Sequence, residues 1–497
     1  MPRPLSELGL HARGDQNVQI TGLSVDSRDV KPGHLFAALP GVKVHGAEFI
    51  QYALRMGAAA VLTDPQGAEI AAKELADKAE VAVVVVEEPR AALAFTAALW
   101  FGGQPDVMVA ATGTNGKTSV ATFTRQIWEE LELSAVNFGT TGVEGAHSAP
   151  LNHTTPEPIT LHRLLAELKA EGVTHAAMEA SSHGLAQNRL DGVRLMAAAF
   201  TNFTQDHLDY HKDFDEYFDA KAGLFDRVLA DEGTAVINID DPRGPDMLEI
   251  ARARGHRILT IGTQPGSDLR ILGQRYDATG QDLLFEFAGE SHHARLKLIG
   301  GFQAENILAA AGLVIGTGVA PEEVFETLGH LGTVRGRMEL AATRDNGAPV
   351  FVDYSHTPDA IASALKALRP HVIGRIVAVV GAGGDRDTTK RPLMGQAACE
   401  NADVVFVTDD NPRSEDPAVI RAAVMMGCAQ VQGITALEVG DRAEAILRGV
   451  DALGPGDALL ICGKGHETGQ VVGDQTLPFD DREQASVAVA ALEGRLA

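Results

Sequence analysis

Cysteine is scarce in this chain of 497 residues: only Cys399, Cys428 and Cys462 are present. They form no Cys-x-x-Cys pair and no metal-ligand spacing. Their odd count rules out a full disulfide framework, so a reduced cytoplasmic protein is the simplest reading. Long apolar runs are also missing. The most apolar stretch, Val81–Val86, is strand-length and ends at Glu87-Glu88, whereas a membrane span needs about 20 apolar residues. The N-terminus, MPRPLSELGLHARGDQ, lacks the apolar segment of a secretory signal. Positive charge is in deficit. Forty-two Lys and Arg against 67 Asp and Glu give a formal charge of −25 at pH 7. That argues against a nucleic-acid or anionic-membrane partner, while a local basic pocket for phosphates remains compatible with it. Low-complexity segments and long internal repeats are absent.

The length exceeds one hydrophobic core and predicts two to four domains. The most informative segment is ATGTNGKTS. An apolar run, Val107–Ala111, feeds the turn Thr112-Gly113-Thr114-Asn115-Gly116-Lys117-Thr118, and a helix-compatible stretch, Ser119–Glu130, follows. Strand, glycine turn and helix make this a P-loop. Its glycines let backbone N–H groups curl around phosphate, Lys117 supplies a charge for the terminal phosphates, and the Thr118 hydroxyl suits Mg²⁺. Ala111 replaces the first glycine of the strict consensus. The chain is expected to bind a nucleoside triphosphate.

Three parts follow from the patterning. Residues 1–103 mix strand-like pieces (Val18–Leu23, His34–Ala38, Ala58–Leu62, Val81–Val86) with helical ones, and Gly102-Gly103-Gln104-Pro105 punctuates their end. Residues 104–336 alternate strand-like runs (Val107–Ala111, His175–Glu179, Ala197–Asn202, Ala235–Ile239) with helical ones (Ile159–Glu171, Ala304–Gly316). Such alternation predicts a parallel sheet with crossover helices. Residues 337–497 repeat it, with strands Val350–Tyr354, Ile376–Gly381, Val404–Thr408 and Ala458–Ile461. Polar loops follow these strands: Ser355-His356, Gly383–Arg386, Asp409–Asn411 and Gly463–Glu467. Ligands of open α/β sheets bind beyond the strands' carboxyl ends, so the four loops are one set of candidates. The predicted fold class is α/β in three domains: a central P-loop parallel-sheet domain, an N-terminal α/β domain and a C-terminal Rossmann-like domain.

In the middle part Glu179 ends a strand, well placed for Mg²⁺ beside Thr118. Downstream lies TNFTQDHLDYH, residues 201–211. His207 and His211 read either as solvated helix residues or as an i,i+4 metal pair, but no His-Glu-x-x-His motif or third ligand accompanies them. Taken together, GTNGKTS, EASSHGL, TNFTQDHLDYH with Lys221, VINIDD, GRME, VDYSHTPDA, GGDRDTTKRPLMG, DNPR and GKGHE resemble, in order and spacing, the Mur ligases, ATP-dependent amide-forming enzymes of peptidoglycan precursor synthesis. The resemblance covers essentially the whole chain and is greatest to the MurE type, which adds the third residue of the stem peptide. Asp410-Asn411-Pro412-Arg413 resembles the signature of the branch that adds meso-2,6-diaminopimelate. A guanidinium suits the second carboxylate that distinguishes this acceptor from lysine. The chain departs from the family pattern at Ala382, Arg335 and His153.

The resemblance implies a two-step reaction with ATP as co-substrate and Mg²⁺ as cofactor. A carboxylate of UDP-N-acetylmuramoyl-L-alanyl-D-glutamate becomes an acyl phosphate, which the amine of diaminopimelate then attacks. It implies ATP contacts from Gly113, Thr114, Asn115, Gly116, Lys117, Thr118, Ser119, Asn306, Arg337, Asp353 and Lys390. Asn238 and Asp240 either line this region or are structural. Thr118 and Glu179 would hold one metal. His207 would hold a second, organised by Lys221 as a carbamate; the plainer reading of Lys221 is an exposed helix cation. The muramyl donor would meet Ser27, Arg28, the Gly41–Gly46 loop, Thr154, Thr155, Ser182, Gln187 and Arg189. Diaminopimelate would meet Arg386, Asp410, Asn411, Arg413, Gly463 and Glu467. A cytoplasmic monomer acting on small molecules is expected. The alternatives are the same chemistry with lysine or another diamino acid, a folylpolyglutamate synthase, or a nucleotide-gated binding protein without ligase chemistry.

Overall fold

The computed structural model describes residues 2–495 except 14–17, 42–43, 77, 79–80, 152 and 205–209. The N-terminal part carries a four-stranded parallel sheet, Gly22–Ser24, His34–Ala37, Ala60–Thr63 and Ala82–Val85, in that order. The strand expected at Val18–Leu23 is divided. Gln19–Ile20 pairs antiparallel with Arg3–Pro4, and the parallel sheet starts at Gly22. Thr21 makes the break, since its N–H donates to the Gly33 carbonyl and its hydroxyl to that of Pro32.

The central sheet has ten strands. Val107–Thr112 lies inside it, parallel to His175–Glu179 on one side and Leu195–Phe200 on the other. Parallel neighbours continue outward through Ala135–Gly139 one way and through Leu229–Asn238 and Arg257–Gly262 the other. Buried on both faces, its strands are nearly continuous apolar runs. Val109 and Ala111 point to a cluster with Phe123, Trp128 and Leu308, while Met108 and Ala110 point to one with Leu161, Leu165 and Phe200. Leu269–Asp277, Gly280–Phe287 and Glu290–Leu296 form an antiparallel extension at one edge, which the strand–helix alternation did not predict.

The C-terminal sheet runs Glu339–Thr343, Pro349–Asp353, Ala458–Cys462, Ile376–Val380, Val404–Val407, Thr435–Glu438. All its pairings are parallel except the first. The carboxyl ends of four neighbouring strands therefore open on one edge, carrying the loops after Asp353, Val380, Val407 and Cys462. Among the described residues no helix is long and apolar enough to cross a membrane.

Candidate active site

The P-loop is built by exclusion of side chains. Gly113 and Gly116 have φ of +149° and +88°. A Cβ at Gly113 would lie 1.9 Å from Thr201 Oγ1, and one at Gly116 2.5 Å from Asn306 Oδ1. The helix Lys117–Glu130 starts with no side-chain cap, so its first N–H groups have no side-chain acceptor and can face an anion. Thr114 N donates to Asn202 O at 2.9 Å and Asn115 N to Asn202 Oδ1 at 2.8 Å, which fixes the loop to the neighbouring strand end. Lys117 Nζ folds back onto the carbonyls of Gly113 and Thr114, at 2.9 and 2.8 Å.

Lys221, in the helix Phe214–Gly223, is only 1% exposed. Its Nζ donates to Gly113 O at 2.7 Å and lies 4.4 Å from the centre of the Tyr217 ring. It is thus no solvated helix cation; it shares a carbonyl with the P-loop lysine. Glu179 is buried, and its two oxygens accept from Thr140 N at 2.7 Å and Thr140 Oγ1 at 3.2 Å. Thr118 Oγ1 accepts from Arg337 Nη2 at 3.2 Å, across from the C-terminal part. These groups line one cavity of about 450 Å³ with Thr154, Ser182 and Asn306, and residues 353–364 of the C-terminal domain close its far wall. Among the described residues, Ser182 Oγ and Arg337 Nε are buried there with no hydrogen-bond partner, as expected of groups that await a ligand.

Asp353 has a second task. Oδ1 accepts from Met338 N at 2.7 Å, and Oδ2 accepts from Ser355 N at 3.0 Å and from the Ser355 hydroxyl. It anchors the turn that presents Arg337, whose guanidinium lies 4.6 Å from the Tyr354 ring centre. His466 packs on the same ring at 5.1 Å. Burial, then the nearby Arg337 and Arg335, push its pKa down to about 4 against a hydrogen bond to the Thr140 backbone, so it is neutral at pH 7.

The three polar loops after Val380, Val407 and Cys462 are knit together. Asn411 Nδ2 donates to Glu467 Oε2 at 2.9 Å, and Arg413 Nη1 donates to Gly384 O at 2.7 Å. Arg413 has φ +53°, a left-handed backbone unusual outside glycine. Its N–H and C=O pair with the hairpin Gly469–Pro478. Gly463, at φ +115°, allows Asp410 Oδ2 within 2.5 Å of where a Cβ would stand. Arg386 is exposed and donates to the Asp385 carbonyl. Lys464, which sequence reasoning passed over inside GKGHE, is fully buried and donates to Asn411 Oδ1 at 3.1 Å and Glu467 Oε2 at 3.0 Å. Thr140 was missed as well, and a lone threonine carries no sequence signal.

Thr155, Gln187 and Arg189 form one network beside the cavity. Arg189 Nη1 donates to Thr155 O at 2.7 Å and Nη2 to Gln187 Oε1 at 2.9 Å, and Gln187 Nε2 donates to Tyr210 OH at 3.0 Å. Ser27, Arg28 and Lys390 do not line the cavity. Arg28 is chelated by Asp26, and Lys390 opens the helix Lys390–Asn401. His207 lies outside the described residues. Among the described residues no group of three or more His, Cys, Asp or Glu is placed to hold a metal.

Three family models match the chain: the Mur ligase family catalytic domain over residues 19–100, the Mur ligase middle domain over 111–314, and the Mur ligase glutamate ligase domain over 336–465. The chain is also 48% identical, over 478 residues, to the UDP-N-acetylmuramoyl-L-alanyl-D-glutamate--2,6-diaminopimelate ligase of Bradyrhizobium diazoefficiens, a match that covers 95% of this chain and 96% of that one. The chain belongs to the Mur ligase family.

This Mur ligase also resembles a solved UDP-N-acetylmuramoyl-L-alanyl-D-glutamate--2,6-diaminopimelate ligase, with 32% identity, a TM-score of 0.72 and coverage of 99% of this chain and 100% of that one. A Mur ligase of Thermotoga maritima named MurF, solved with ADP, shares the fold at a TM-score of 0.61 and 18% identity, over 95% of this chain and 98% of that one. The three larger sheets, of four, ten and six strands, correspond to the three-domain fold of the family.

Proposed function

We propose that this Mur ligase joins meso-2,6-diaminopimelate to UDP-N-acetylmuramoyl-L-alanyl-D-glutamate at the expense of ATP, in the cytoplasm, as a step of peptidoglycan precursor synthesis. The observation that carries the reading is the single cavity in which Lys117, Glu179 and Arg337 meet, with the acceptor loops opening on the same side of the C-terminal sheet. The relative in B. diazoefficiens is named for this reaction.

In the first step an oxygen of the donor carboxylate forms a bond to the γ-phosphorus, the bond to the β-phosphate oxygen breaks, and ADP leaves. In the second the acceptor amine bonds to the acyl carbon, the bond to the phosphate oxygen breaks, and the nitrogen gives up a proton. Activation is required because a carboxylate is a poor electrophile. The protein's share is position and charge. Lys117 turns from its loop carbonyls to the phosphates, and Arg337 adds a second cation. Mg²⁺ fits the donor set of this site, which offers the buried Glu179 carboxylate and the Thr118 hydroxyl as hard oxygens beside a phosphate loop. When bound, it would neutralise phosphate charge. Lys221 is proposed to work as its carbamate, which keeps one N–H to donate to Gly113 O and gains an anion. Asn411, Arg413, Arg386 and Glu467 would receive the acceptor, Glu467 its ammonium and the arginines its carboxylates.

The test is an acceptor panel of meso-diaminopimelate, lysine and ornithine with the muramyl dipeptide, ATP and Mg²⁺. Phosphate release that requires both the donor and diaminopimelate is expected. A preference for lysine would overturn the acceptor assignment, and turnover without a donor would overturn the ligase reading.

A further inference from the structure

The acceptor loops enclose a lysine that the proposed chemistry does not use. Lys464 has no solvent exposure, and burying an ammonium is costly unless its donors are met. Here all three are met. Nζ donates to Asn411 Oδ1 at 3.1 Å, to Glu467 Oε2 at 3.0 Å and to Gly469 O at 2.5 Å, which matches the three N–H bonds of an ammonium. The partners belong to three separate pieces: the loop after Val404–Val407, the loop after Ala458–Cys462 that carries Lys464 itself, and the first strand of the hairpin Gly469–Pro478.

Each piece bears on one contact of the proposed acceptor site. Glu467 Oε2 accepts twice, from Lys464 Nζ and from Asn411 Nδ2 at 2.9 Å. Both bonds fall on the same oxygen, which leaves Oε1 of a side chain 32% exposed to meet a ligand. The hairpin holds Arg413. Val471 O accepts from Arg413 N at 3.0 Å, and Gly473 N donates to Arg413 O at 2.7 Å. Val471 N returns to Asn411 Oδ1 at 2.9 Å. Lys464 is therefore the joint between the carboxylate proposed to take the acceptor's ammonium and the hairpin that seats the guanidinium proposed to take its carboxylate.

A carbon that bears both an ammonium and a carboxylate is read at two points, and the direction of the incoming chain supplies a third. Three points fix handedness only if their spacing is rigid. Exchanging ammonium and hydrogen on that carbon moves the ammonium further than a hydrogen bond tolerates, but a loose receptor would follow it. We infer that Lys464 is a positioning residue that locks Glu467 to the hairpin bearing Arg413, and that this lock gives the ligase its selectivity for the configuration of the acceptor's far carbon. The inference rests on the proposed acceptor. Its two far charges call for Glu467 and Arg413; its handedness calls for Lys464, which touches no substrate.

Steady-state kinetics with meso- and L,L-diaminopimelate, which share one end and differ in configuration at the other, test the lock in wild type, Lys464→Met and Lys464→Arg. Methionine keeps an apolar stem of similar length and removes the ammonium. Wild type should favour the meso isomer. Lys464→Met should raise the KM for meso-diaminopimelate by about tenfold or more and lower the kcat/KM ratio of the two isomers by about tenfold, with the KM values for ATP and donor nearly unchanged. Lys464→Arg should recover part of the ratio. An equal loss on both isomers, with their ratio kept, would reduce Lys464 to a support of the fold and overturn the proposal. So would a wild type that uses the two isomers alike. Should Lys464→Met not fold, Gln470→Ala loosens the same hairpin from a half-buried position, since Gln470 Nε2 donates to Asp410 O at 2.7 Å. The isomer ratio should fall there too, and a retained ratio would overturn the proposal. A wild type that turns over neither isomer would strike the proposed function rather than this inference.

Discussion

At the scale of single residues, the site depends on side chains placed where their ordinary behaviour is suppressed. Lys221 is a cation with nowhere to be solvated, held on Gly113 O beside the P-loop lysine. If it acts as a carbamate, Lys221→Ala should lose nearly all turnover while keeping ATP binding, and short carboxylates such as formate or acetate should restore part of the rate. Intact mass at neutral pH should show one added CO₂; an unmodified lysine in fully active enzyme would refute the assignment. Arg413 combines a functional side chain with a left-handed backbone. Arg413→Ala and Arg413→Gly should both raise the KM for diaminopimelate by tenfold or more, since losing one partner of a buried charge-assisted pair costs about 2–5 kcal/mol. The KM values for ATP and donor should hardly move. The glycine variant should be the more stable of the two by about 1 kcal/mol, because only glycine adopts φ +53° without strain. Recovery of the acceptor KM in Arg413→Gly would show that the loop's shape, and not the guanidinium, selects the acceptor. These residues were legible in the sequence because they sit in short motifs. Lys464 and Thr140 were not, since Lys464 meets Asn411 and Thr140 meets Glu179 only through the packing of separate loops.

At the scale of elements, the parallel strands were readable because both their faces are buried, which leaves unbroken apolar runs: His175–Glu179 is a strand with the bounds its apolar run predicts. The antiparallel extension was not. Its second turn is made by Ala288 and Gly289, at φ +52° and +82°, a two-residue hairpin geometry that Asn-Gly would announce and Ala-Gly does not. The buried ion pair of Arg442 with Asp481 also escaped notice. Arg442 is fully buried, bonds both Asp481 oxygens at 2.7 and 2.6 Å, and reaches the carbonyls of Asp409 and Cys462. It thereby links the bases of two acceptor loops. In the helix Pro158–Ala170, burial lowers the pKa of His162 from 6.5 to about 4. Above pH 6.5 neither the folded nor the unfolded state is protonated there. As pH falls from 6.5 towards 4 only the unfolded state takes up the proton, so stability declines across that window, by on the order of 2–3 kcal/mol at its lower end. Denaturant melts of wild type and His162→Gln should diverge in slope between pH 6.5 and 5, with the variant flatter. Parallel slopes would mean that His162 titrates normally in the folded protein.

At the scale of the whole molecule, no single domain lines the whole reaction cavity. The central domain supplies Lys117, Thr118 and Glu179, the C-terminal domain closes the cavity with residues 353–364, and Arg337 reaches back to Thr118. An acyl phosphate is hydrolysable, so a cavity closed by two domains both assembles the reactants and excludes water. Small-angle scattering with a non-hydrolysable ATP analogue, donor and diaminopimelate together should give a smaller radius of gyration than the free protein. An identical radius would indicate that the domains stay assembled throughout.

What the sequence determined by itself is the chemistry that depends on local order: a phosphate loop between strand and helix, polar loops after apolar strands, and motifs in the family's spacing. These follow from backbone conformation and burial, which are written in consecutive residues. Only the tertiary structure decided which of those residues share a cavity, that Lys221 is buried on the P-loop, and that Asp353 holds the turn bearing Arg337. Those relations depend on how separately folded sheets pack against one another, and residues a hundred positions apart leave no pattern in sequence when they meet.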